Sequence, residues 1–194
     1  GNFHTKDPVT KIEDLKGKKI RGAGRTVNDL ITALGATPIG MPVPAVGEAL
    51  SKGVIDGTTI PYEVVPALKV QQLVKNHTLF AKGISLYTNT FGVVMNKAKY
   101  ESLPEQAKKA IDAQSGMACA QRFGETMDKG DAGGLALVRK AGNTINEIDE
   151  IEMQRWRRYA DVVIDSWVKR SKEAGLDGAG LLKTARATVA KYDK

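Results

Sequence analysis

Apolar residues fall in short, closely spaced runs in the first half of the chain and recur three or four positions apart in the second. That change of period predicts an α/β layer followed by packed helices. Lys18-Lys-Ile-Arg21 reads as a short strand that leaves the turn at Lys16-Gly17 and opens onto Gly22-Ala-Gly-Arg25. Thr26, with Asp29 three residues on, has capping-box spacing, and Val27, Leu30, Ile31 and Leu34 continue at helical period until Gly35 supplies the left-handed stop. The next unit repeats the logic: Thr37-Pro-Ile-Gly40 is a short extended run, and Pro44 starts a helix to about Ser51. Gly53-Val-Ile-Asp-Gly57 is then expected as a strand ending in a turn. A helix begins near Pro61, carries Tyr62, Val65, Leu68 and Gln72 on successive turns, and ends before Asn76-His77. Residues 85–95 give the strongest strand signal, with Leu86, Tyr87, Phe91, Val93 and Val94 as β-formers and Gly92 as a bulge or close approach.

Beyond this point helices dominate. Ser102-Leu-Pro-Glu105 reads as a capping box before Ala107, Ala110, Ile111 and Ala118. A long helix over 149–174 follows from Trp156, Tyr159, Val163 and Trp167 with charged residues between them, a stripe read as core packing. Gly175 and Gly178 separate it from a last helix.

Composition narrows the function classes. With 42% hydrophobic and 26% charged residues over 194 positions, the chain can bury a substantial core as one domain or two small lobes. No run approaches the roughly 18 consecutive apolar residues that a membrane helix needs, so no direct membrane insertion is expected. The net charge of +7 is spread over many segments and aromatics are 6%, a poor match to the basic, aromatic-lined stripe of a nucleic-acid binder. Cys119 stands alone, so an internal disulfide or a multi-cysteine metal site is excluded, and no cofactor is expected. His4 and His77 are the only histidines, and neither a His-Glu-x-x-His nor a Gly-x-Ser-x-Gly motif occurs, which removes the common zinc-protease and hydrolase templates. Gly22-Ala-Gly24 lacks the third glycine of a dinucleotide fingerprint.

Chemistry is expected where strand ends meet helix starts. Arg21, Arg25 and the helix start at Thr26 would together hold a carboxylate, since a guanidinium grips one with two parallel hydrogen bonds. The alternative is that both arginines are solvated surface charges.

A succession of pieces carries a resemblance. Glu13-Asp-Leu-Lys-Gly-Lys-Lys-Ile-Arg21, Ala33-Leu-Gly-Ala-Thr-Pro38, Met41-Pro, Glu48-Ala-Leu-Ser-Lys-Gly-Val-Ile-Asp-Gly57, Pro61, Val94-Met-Asn96 and Ser102-Leu-Pro-Glu105 follow in order the solute receptors of tripartite ATP-independent (TRAP) transporters, the DctP family. The resemblance implies an α/β, type II periplasmic-binding-protein-like fold with two lobes, of which this chain carries one lobe, hinge strands and C-terminal helices, the first lobe being largely absent. Its expected divisions are a hinge strand or linker over 1–10, the second lobe with the carboxylate site over 11–82, a hinge-crossing strand over 83–96, and a helical region over 97–194. It also implies a non-enzymatic periplasmic receptor for a small organic acid anion, working with TRAP membrane subunits, with Arg21 pairing the carboxylate.

Two departures from the family pattern bear on the ligand. Val43 stands where an aromatic is frequent, and Thr58-Thr-Ile-Pro61 replaces the Gln-Glu-Asn-Pro of sialic-acid and dicarboxylate receptors. Ile60 either faces the ligand and favours a monocarboxylate with an apolar or aromatic body, or packs under the following helix. Thr59, Tyr62, Thr90 and Phe91 are further ligand-binding candidates. A ligand-sensing domain of the same fold and a small carboxylate-processing enzyme remain as alternative functions.

Overall fold

The computed structural model describes residues 1–192. A six-stranded mixed sheet forms its centre, with strands β1 (Asn2–Thr5), β2 (Lys19–Gly22), β3 (Thr37–Gly40), β4 (Gly57–Ile60), β5 (Asn76–Phe80) and β6 (Thr144–Ile148) in the order β3-β2-β4-β1-β5-β6. β1 runs antiparallel to β4 and β5, whereas β2 is parallel to β3 and β4, and β5 is parallel to β6. Helices α1 (Arg25–Ala33), α2 (Val46–Ser51), α3 (Val65–Leu68), α4 (Val70–Leu73), α5 (Lys97–Glu101), α6 (Glu105–Ala113), α7 (Gly116–Lys140), α8 (Glu150–Glu173) and α9 (Gly178–Tyr192) complete the chain.

Each face of the sheet has its own core. Phe3 and Ile20 point toward α1 and α8 and meet Leu30, Ile31, Trp156 and Val163. The indole of Trp156 takes edge contacts from Phe3 and Phe80 at centroid separations of 5.7 and 5.5 Å, so the aromatic stripe of α8 is core packing at that position. On the other face Ile60 and Tyr62 join Val46, Leu50, Val65 and Val138 beneath α2, α3 and α7. α8 is fixed at its start by Asp149, whose carboxylate accepts the Glu152 N–H at 2.8 Å, and Glu152 Oε1 accepts both the Ile12 N–H and Trp156 Nε1–H at 2.9 Å.

Several expected elements differ. Thr26 lies inside α1, which starts after Gly24, a residue with no side chain to cap it, and Asp29 pairs with Arg170 at 2.8 Å instead of reaching back to the helix start. Gly53 takes a left-handed turn (φ 69°) and the strand begins only at Gly57, where pairing with Ile20 starts. The helix after Pro61 is broken at Lys69, whose φ of 54° ends α3. Ser102 donates to the Lys99 carbonyl at 2.8 Å instead of capping α6, which follows Pro104. No strand forms over 83–96: no neighbouring strand lies alongside among the described residues, and the backbone is tied near its start by Leu86 N–H to the Gly1 carbonyl at 3.0 Å. Strands β5 and β6, by contrast, form where none was expected.

Candidate functional site

β2 connects through α1 to β3 on one side, and β3 returns through α2 to β4 on the other, so the strand order reverses at β2. In parallel sheets a crevice opens at the carboxyl ends of strands at such a reversal. Arg21, the penultimate residue of β2, sits there. Its side chain bends across the strand ends: Nε donates to the Met41 carbonyl at 3.2 Å, just past β3, and Nη1 donates to the Thr59 carbonyl of β4 at 3.3 Å. Thr59 Oγ1 donates back to the Arg21 carbonyl at 3.2 Å, locking the two residues together.

Arg21 is only 5% exposed, and among the described residues no ion pair involves it. A guanidinium has five N–H donors, and the two bound carbonyls leave the rest unmatched while bringing no negative charge. Burial lowers its pKa from the ordinary arginine value, yet an arginine stays protonated at any working pH. Such a cation is stabilised by a planar anion that takes the remaining donors, above all a carboxylate.

Tyr87 completes this corner, although nothing in its sequence context separates it from its β-forming neighbours. Its hydroxyl donates to the same Thr59 carbonyl at 3.0 Å, and burial raises the phenol pKa, so the proton is retained. Asn2 stands opposite Ile60 in the β1–β4 register, and its Oδ1 is buried without a donor among the described residues.

The other expected site residues divide. Thr59 joins Arg21 through backbone and hydroxyl. Ile60 and Tyr62 lie fully in the second core, the Tyr62 hydroxyl donating to the Thr78 carbonyl at 3.1 Å, so Ile60 packs under the helix rather than forming a solvent-open wall. Arg25 begins α1 exposed, and Val43 is exposed at the head of a single 3-10 turn two residues beyond Met41. Thr90 and Phe91 are exposed, Phe91 by 73%, and the structure does not bring them to Arg21. Two shallow hollows of about 330 and 320 Å³ run along α8, and neither is lined by Arg21.

A second polar cluster lies behind the site. His4 Nε2 is 3.0 Å from the Ile60 carbonyl, His4 Nδ1 is 2.7 Å from His77 Nδ1, and His77 Nε2 is 2.9 Å from Asn143 Nδ2. A carbonyl only accepts, so His4 donates from Nε2 and accepts at Nδ1; His77 then donates from Nδ1 and accepts the Asn143 amide. Both rings are neutral, and burial is the main reason their pKa values fall to about 3 and about 4. Among the described residues no group of histidine, cysteine and acidic side chains is arranged to hold a metal, and no helix is long and apolar enough to cross a membrane.

The chain is similar to solute-binding proteins of known structure. It is 46% identical, over 98% of its length, to a TRAP solute-binding protein from Rhodoferax ferrireducens T118 solved with copurified benzoate, with a TM-score of 0.94. It is 42% identical over its whole length to a marine metagenome TRAP solute-binding protein specific for aromatic acid ligands and solved with 3-hydroxybenzoate, with a TM-score of 0.96. The C4-dicarboxylate-binding periplasmic protein DctP of Rhodobacter capsulatus is 25% identical over 93% of the chain. The chain spans 60% and 61% of the two solved proteins and 52% of the Rhodobacter protein. The model of the bacterial extracellular solute-binding proteins, family 7 (DctP), matches residues 1–171, and the chain belongs to that family.

Proposed function

We propose that this chain forms the anion-holding part of an extracytoplasmic TRAP-transporter receptor, and that its ligand is an aromatic monocarboxylate delivered to the transporter's membrane subunits. The observation that carries this reading is Arg21: a buried guanidinium at a strand-order reversal, held by two carbonyls and no carboxylate. The benzoate and 3-hydroxybenzoate bound by the two solved relatives support an aromatic ligand body. Within this reading residues 11–82 form the lobe that presents Arg21, residues 83–96 cross toward the remainder of the receptor, and 97–194 supply the helices that join the parts. A periplasmic location follows from the same assignment.

Isothermal titration of benzoate into the purified chain and its Arg21→Ala and Arg21→Lys variants tests the reading. Benzoate binds the parent chain, Arg21→Ala weakens it by about a hundredfold or more, and Arg21→Lys recovers part of the loss by keeping the charge without the fork. Equal binding by Arg21→Ala, or none by the parent, contradicts the proposal. The acid is recovered unchanged after incubation; its conversion would mark an enzyme instead.

A further inference from the structure

The Tyr87 hydroxyl has one proton, and it is committed to the Thr59 carbonyl at 3.0 Å. What Oη still offers is lone pairs. The register places Arg21, Thr58 and His4 on one face of the sheet, while the Tyr87 ring packs on the core of the other face. Guanidinium and phenol therefore converge on one carbonyl oxygen from opposite sides of the strand ends. Their characters are complementary: Arg21 brings donors and positive charge, and Tyr87 brings an acceptor. Asn2 Oδ1, buried nearby in β1 without a donor, is a second acceptor at the same end of the sheet.

We propose that Tyr87 Oη accepts a hydrogen bond from a ring hydroxyl of the ligand, so that the site selects hydroxy-substituted aromatic monocarboxylates over the unsubstituted acid. This rests on Arg21 as the carboxylate anchor. With the guanidinium occupied by one carboxylate, a second carboxylate facing Tyr87 meets lone pairs and no proton, so diacids are disfavoured. A ligand hydroxyl there supplies the missing donor.

The test is calorimetric titration of benzoate, 3-hydroxybenzoate, 4-hydroxybenzoate and phthalate into the parent chain and Tyr87→Phe. In the parent, at least one hydroxybenzoate binds about three- to tenfold tighter than benzoate, the worth of one added hydrogen bond, and phthalate binds more weakly than benzoate. In Tyr87→Phe the hydroxybenzoate advantage falls to about unity, whatever happens to benzoate itself, because a general loosening of the site moves both acids together. Neither hydroxybenzoate gaining over benzoate, or the advantage surviving in Tyr87→Phe, overturns the assignment while leaving Arg21 as anchor. Benzoate binding that is absent, or indifferent to Arg21→Ala, overturns both.

Discussion

His4 and His77 carry protons differently in the folded and unfolded chain, and that difference is a stability term. Their folded pKa values, about 3 and about 4, lie below the ordinary 6.5, so the unfolded chain binds more protons between pH 6.5 and 4. The stabilisation is complete above pH 6.5 and falls as pH drops through that window, by up to about 1.4 kcal/mol per pH unit for each imidazole. Urea unfolding at pH 7.5 and pH 5 is expected to show a clearly lower midpoint at pH 5; equal midpoints would mean that the pair is not buried neutral. At this scale the sequence marked Arg21 by its place after a short strand, but it could not give the partners. Met41 and Thr59 are 20 and 38 positions away, and both take its hydrogen bonds through backbone carbonyls, as Thr59 does that of the Tyr87 hydroxyl; every residue type offers such a carbonyl equally.

α7 illustrates how an element is seated by what it lacks. Gly134 presses against the backbone of Tyr62, leaving no room for a Cβ, whereas the adjacent Gly133 meets open space. Asp131 on the same helix accepts the Glu63 N–H at 2.8 Å. Gly134→Ala is therefore expected to destabilise the chain by about 1–3 kcal/mol, and Gly133→Ala to stabilise it by up to about 1 kcal/mol through helix propensity. Opposite shifts in thermal midpoint would bear this out, and equal shifts would place α7 elsewhere. Asp149→Ala is expected to cost about 1 kcal/mol by removing the cap of α8. Helices with long apolar periods, α1 and α8 above all, were legible from the sequence within a residue or two. Strands were less so. Gly57–Ile60 and Asn76–Phe80 are four- and five-residue segments whose strand state comes from pairing with β1 and β2. The β-formers over 83–96 lack such a neighbour and stay irregular.

Across the molecule, packing is uneven. The sheet with α1, α2, α3, α7 and α8 holds both cores, whereas Phe91, Val93 and Val94 are 73%, 87% and 90% exposed and α5 and α6 bury no residue fully. An exposed backbone with few hydrogen bonds opens at low cost, so brief chymotrypsin treatment is expected to cut first within residues 84–96, most readily after Phe91. First cleavage inside the sheet would contradict the two-core arrangement. The fold and the buried site at Arg21 carry one central proposal, that the guanidinium holds an aromatic carboxylate. A crystal structure of the chain with benzoate tests it most directly. Both carboxylate oxygens are expected within hydrogen-bond distance of the Arg21 guanidinium at the carboxyl ends of β2 and β4; benzoate bound elsewhere, with the Arg21 guanidinium left untouched, would contradict the proposal.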